Sequence, residues 1–138
     1  MAQMVTTLSA FLSSSAAQGD WQPGVIDCCM WLASWAVWLG HPDPATHLRD
    51  AYRDEEGYQA IIAAAGGMVP VVAECIEKIG GRILAHPECG AVGVIGSALR
   101  LDRQWGAIFD GERWLVRNRT GVVPVTASSL AIWEIVHA

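Results

Sequence analysis

Residues 21–40 read WQPGVIDCCMWLASWAVWLG, and the fold turns on them. Pro23 and Gly24 interrupt regular structure, so Trp21 to Gly24 is expected to be a loop. Asp27 has a side chain suited to capping a helix that begins at Cys28. Cys28, Trp31, Leu32, Trp35, Trp38 and Leu39 recur at helical spacing. Met30 and Val37 make the other side apolar as well. A helix apolar all round belongs inside a core, so Trp31, Trp35 and Trp38 are expected to be buried. Gly40 stops it.

Before this helix, Val5 to Ala17 reads as another, with Leu8, Phe11 and Leu12 on one side. After it, Pro42-Asp43-Pro44 restarts the chain and Ala45 to Tyr52 is expected to be a short polar helix. Glu55 to Ala65 reads as a helix ended by Gly66-Gly67. Val69 to Ile79 reads as one that tolerates Pro70 in its first turn. Beyond Gly80-Gly81 the grammar changes to short apolar segments separated by Gly, Pro or Asp: 82–85, 91–95, 105–109, 114–117, 122–125 and 131–136. Asp110-Gly111 is a hairpin signal. Helices over 1–80 and strands over 81–138 indicate one α+β domain, with the Cys28 helix packed on an antiparallel sheet.

The 138 residues suffice for one domain with a real core. Apolar residues make up 52% and charged ones 17%, which excludes disorder and suggests that some apolar surface is covered by a partner. A net charge of −5 gives no support for nucleic acid or an anionic membrane as partner. No apolar run reaches the length of a membrane span, and Met-Ala-Gln-Met does not open a secretory signal, so synthesis in the cytoplasm is expected. Cys28, Cys29, Cys75 and Cys89 form no CxxC framework and fit free thiols in a reducing compartment.

The chemistry centres on Asp27-Cys28. A thiol is a nucleophile only as thiolate, and the partial positive charge of a helix N-terminus lowers a cysteine pKa. Cysteine hydrolases place their nucleophile this way and bring a histidine from a neighbouring strand. The plainer alternative is a small buried hydrophobe.

Four segments carry a resemblance. WQPGVIDCCMWLASW (21–35) is similar to the Asp-Cys-Ser-Gly-Leu segment that opens the nucleophile helix of NlpC-type cell-wall peptidases. ECGAVGVIG (88–96) resembles that family's first core strand, QWGAIFDGERWLV (104–116) its catalytic hairpin, and AIWEIVHA (131–138) its closing strand. The resemblance is closest to small phage and prophage tail-associated proteins. It implies a papain-like domain over 1–138, acting at a phage tail tip or in tail assembly. Partners would be tail hub or tail-tip proteins, and peptidoglycan is a further candidate. The location would be the virion tail, after synthesis in the host cytoplasm.

Two departures accompany it. Gln104 falls where the family has its catalytic histidine, and Val116 where a second histidine often lies. Gln cannot take a proton from a thiol near neutral pH, so the resemblance implies an inactive relative. The alternative is an active cysteine peptidase that cleaves peptidoglycan peptides, with Cys28 as nucleophile and another base. His86, in the turn before the first core strand, is the candidate for a displaced base.

His41 and His47 are expected in solvent and His137 at the frayed end. A zinc site from His86, Cys89, Cys28 and Cys29 is a third reading, disfavoured because adjacent helical residues point apart. No metal or cofactor is expected. Trp21 is either a surface contact or a lid over the helix start. Arg113, Arg117 and Arg119 are expected on a solvated hairpin edge.

Overall fold

Asp27 begins the central helix. The computed structural model describes residues 2–138. In it Asp27 has extended backbone, and one carboxylate oxygen accepts the N–H groups of Cys29 and Met30 at 2.9 and 2.8 Å. Two of the four orphan donors of a helix start are thereby satisfied, and helix Cys28–Trp38 follows. Two shorter helices precede it, Ala2–Leu12 (α1) and Ser15–Gln18 (α2), so the central helix is α3. The expected single helix over Val5–Ala17 is broken because Ser14 is extended and its hydroxyl bonds back to the Phe11 carbonyl at 2.6 Å.

Trp31 and Trp35 are buried against Phe11, and the Trp35 indole N–H donates to the Gly90 carbonyl at 2.9 Å. Trp38 corrects the expectation: it packs at a tilt beside Phe11 yet stays 42% exposed. Val37 is exposed too, because the last turn of α3 keeps Trp35, Ala36 and then Leu39 in the core and turns Val37 and Trp38 outward.

Ala45–Tyr52 forms consecutive turns rather than the expected helix. Asp43 accepts the Ala45 N–H and pairs with Arg49, which closes a local turn. Asp50 has φ 60, a left-handed conformation that ends any helix here, and its N–H reaches the Gly24 carbonyl. Leu48 and Tyr52 are buried, so this segment is a packed strap over the loop before α3. Helix Glu55–Ala65 (α4) is capped by Asp54 and ends at Gly66, φ 89. Helix Met68–Lys78 (α5) follows at an angle of 82°. Among the described residues no single helix is long and apolar enough to cross a membrane.

Six strands follow: Arg82–Ile83 (β1), Val92–Gly96 (β2), Gln104–Phe109 (β3), Trp114–Asn118 (β4), Gly121–Val125 (β5) and Ser129–Glu134 (β6). They form one antiparallel sheet in the order β1-β6-β2-β3-β4-β5, so the protein is α+β. Asp110 closes the β3–β4 hairpin by accepting the N–H groups of Glu112 and Arg113. Helix α3 packs on β3 at Gly106, where a Cβ would lie 2.8 Å from the Cys28 carbonyl oxygen. Glycine is what lets helix and strand approach so closely.

Candidate functional site

Strand β3 pairs with β2 from Gln104 to Ile108, but its register with β4 closes only at Ile108–Leu115 and Phe109–Trp114. Beyond that the two strands part. A cleft of about 680 Å³ opens beside the gap, with the Cys28 end of α3 and Tyr58 of α4 on one side. Val116, Val123 and Val125 line the other.

The Cys28 sulfur lies 3.0 Å from the Tyr58 hydroxyl and also meets the Gly106 backbone N–H. Burial pushes this thiol up to about 11, and the Asp27 carboxylate adds to the rise, whereas the Tyr58 and Gly106 contacts oppose it. This reverses the sequence expectation for a helix start. The N–H groups that would have lowered the pKa are already spent on a carboxylate. The second Asp27 oxygen accepts the Gly24 N–H at 2.9 Å and the Tyr52 hydroxyl at 2.5 Å, so a buried negative charge is held behind the sulfur. Burial also raises the Tyr58 hydroxyl, and the neighbouring Cys28 reinforces it. Tyrosine beside this thiol is a hydrogen-bond partner rather than a base at neutral pH.

Gln104 lies on the cleft, buried, at the head of β3. Its amide is committed at both ends. The oxygen accepts the Met68 N–H at 2.9 Å, and the nitrogen donates to the Ser97 carbonyl at 2.9 Å. Gly67, at the cap position of α5, has no side chain to offer, so Gln104 caps that helix from across the fold.

No histidine lines the cleft among the described residues. His86 is exposed in the turn before β2, near the Phe109 end of β3, whereas Cys28 faces Gly106. The structure does not bring His86 and Cys28 together as a base and nucleophile. His41 meets the Val136 carbonyl, His47 meets Lys78 and Glu74, and His137 meets Thr7. The zinc grouping is not assembled either: no cluster of three His, Cys, Asp or Glu among the described residues could hold a metal. All four cysteines are free.

The family model for the domain of unknown function DUF6950 matches residues 2–135. The chain belongs to that family. No curated protein and no solved structure matches it.

In this DUF6950 chain two functional neighbours escaped the sequence reading. Tyr58 had a signal: it precedes buried Ile62 by four residues on α4, which marks the inner face. Arg117 had none and is a correction. It is 3% exposed, and its guanidinium donates to the carbonyls of Ala17, Gly19 and Asn118. It fastens α2 and the following loop to β4. Arg113 and Arg119 are exposed, as a hairpin edge requires, and Trp21 is half-buried along the cleft.

Proposed function

We propose that this DUF6950 chain is an NlpC-type, papain-like domain that has kept the cysteine helix and lost the catalytic base. Its role in this reading is structural: a component of a phage or phage-like tail, at the tip or in assembly, docked on hub or tip proteins. The supporting observation is Gln104. At the position that resembles the catalytic histidine stands an amide whose oxygen and nitrogen both serve the fold. Acyl transfer by a thiol needs a group that takes the thiol proton and later protonates the leaving amine, worth about 10²–10⁴ in rate. Here the thiol is raised by burial and, among the described residues, no histidine is at the cleft. The tail assignment rests on the four segments of sequence resemblance and on the apolar surplus of a protein that works docked.

Two measurements test the reading. Wild type, Cys28→Ala and Gln104→His are incubated with muropeptides, and no turnover is expected from wild type. Turnover lost in Cys28→Ala overturns the inactive reading and restores the peptidase alternative. Affinity purification of the tagged chain from cells producing phage particles is expected to recover tail hub or tip proteins. Recovery of the chain without any of them overturns the tail role.

A further inference from the structure

We propose that the cleft is a docking groove for an extended segment of a partner protein, anchored by one large apolar side chain and a neighbouring carboxylate. This rests on the reading above that the cleft does no chemistry. Three features of the cleft agree on this occupant.

The first is backbone. Where β3 and β4 part, residues 104–107 and 116–118 face each other across the gap without a shared ladder, although the Gly106 N–H there is already taken by the Cys28 sulfur. An extended chain is the ligand whose backbone spacing matches open strand. The β5 edge of the sheet is a poorer receptor, because Pro124 removes a donor there, and at the other edge β1 is only two residues long.

The second is the apolar wall. The register puts Ile95 opposite Trp105, Val116 opposite Val123 and Trp114 opposite Val125. Ile95, Trp105, Val116, Val123 and Val125 all line the cleft, and Trp105 is 39% exposed. Trp21 lines it as well, and its indole N–H has no acceptor among the described residues. That nitrogen is shielded from solvent, so a peptide carbonyl reaches it only when the ring turns toward the cleft. Peptidoglycan stem peptides carry alanine, glutamate and a diamino acid, with no large apolar side chain to cover such a wall. A protein segment with a tryptophan or leucine covers it. The cleft volume, about 680 Å³, suits a few residues.

The third is charge. Arg119 lines the cleft, exposed, and makes no ion pair among the described residues. Of the acidic residues at the cleft, Asp102 is already held by Arg100, Glu55 accepts the Gln59 amide, and Asp27 caps α3. The uncommitted guanidinium selects a carboxylate beside the anchor.

The test titrates the full ¹⁵N-labelled chain with blocked L-peptide Ac-Ala-Ala-Trp-Asp-Ala-NH2. The comparison ligands replace its Trp by Ser or its Asp by Asn, and add the stem tripeptide L-Ala-γ-D-Glu-meso-diaminopimelate and decanoate. The Trp-Asp peptide is expected to shift the indole N–H resonances of Trp21 and Trp105. The Ser peptide should bind at least about tenfold more weakly. The Asn peptide should bind about two- to fivefold more weakly, and Arg119→Glu should cause the same loss without changing the thermal melt. Trp105→Ala, at a half-exposed site, should abolish the shift of Trp21 while the remaining spectrum stays dispersed.

Absence of shifts at about 1 mM peptide overturns the proposal. So does equal or tighter binding of the stem tripeptide or of decanoate. Hydrolysis of muropeptides would instead sink the inactive reading, so the two failures are told apart.

Discussion

Helices α3 and α5 solve the same problem at their starts in opposite ways. Helix α3 is capped from next door by Asp27, a charged residue that also holds Gly24 and Tyr52. Helix α5 begins after a bare Gly67 and is capped by a neutral amide from β3, 36 residues away. Both caps flank the cleft. The first puts a negative charge behind the Cys28 thiol at the cleft, which adds to the rise that burial causes. The second commits both ends of the Gln104 amide, at the head of β3, to the fold. A cysteine at a helix start is therefore not enough for reactivity: burial raises the thiol, and a start whose N–H groups already hold a carboxylate adds to that rise instead of opposing it.

The comparison breaks most visibly at Asp27. Asp27→Ala leaves three backbone donors and a tyrosine hydroxyl unpaired in the interior, at about 1–3 kcal/mol for the worst of them. A loss of about 3–5 kcal/mol is expected in urea unfolding, well above the ~1 kcal/mol of a solvent-exposed cap. A loss below 1 kcal/mol would mean that the carboxylate is only a surface cap. Gln104→Ala should cost about 1–3 kcal/mol, since the Met68 N–H loses its acceptor. Gln104→His should lose the same cap, so a variant as stable as wild type would contradict the tie to α5.

The thiol sharpens the contrast. Iodoacetamide labelling of Cys28 should stay slow at pH 7 and climb only as pH approaches about 11, its raised value. In a folded Asp27→Asn variant the charge behind the sulfur is gone, and labelling should accelerate at fixed pH. A plateau below pH 7 in wild type would show an activated cysteine. The smallest effect is on stability against pH. Burial raises the thiols of Cys28 and Cys75 to about 11 from an ordinary 9.0, and it raises Cys29 as well. The folded chain keeps protons that the unfolded chain releases. Stability from these groups is therefore full below pH 9 and is lost as pH rises toward 11. Denaturant midpoints across pH 8–11 check this, and a rising midpoint would reverse the sign.

Where local chemistry decides the fold, the amino-acid sequence is a sufficient guide. The α3 start, the Gly66-Gly67 break and the Asp110-Gly111 hairpin each depend on a few adjacent residues, and each is where the sequence puts it. What escaped depends on distant partners. Ala45–Tyr52 has helical composition, but Asp43, Asp50 and the Gly24 carbonyl bend it into turns. Trp38 repeats at core spacing, but in a helix apolar all round periodicity does not say which side is left outward, and Trp38 is half-exposed between buried Ala36 and Leu39. Arg117 carries a surface residue's charge and is buried because three carbonyls, two of them about a hundred residues earlier, happen to meet it. At the site, Asp27 and Cys28 were legible from the helix signal. The parting of β3 and β4 was not, since strand pairing is a matter of register and twist.

The Arg117 clamp also has a bearing on the order in which the chain assembles. Its bonds to Ala17 and Gly19 span sequence separations of 100 and 98 residues. Until β4 exists, the carbonyls at the end of α2 have no such donor, so the N-terminal segment cannot be fastened during synthesis by this contact. Closing so long a loop is slow, and it comes after the local helices have formed. A chain stopped before residue 117 should therefore be cut by protease around Ser13–Gly19, and the same bonds should become resistant once the hairpin is complete.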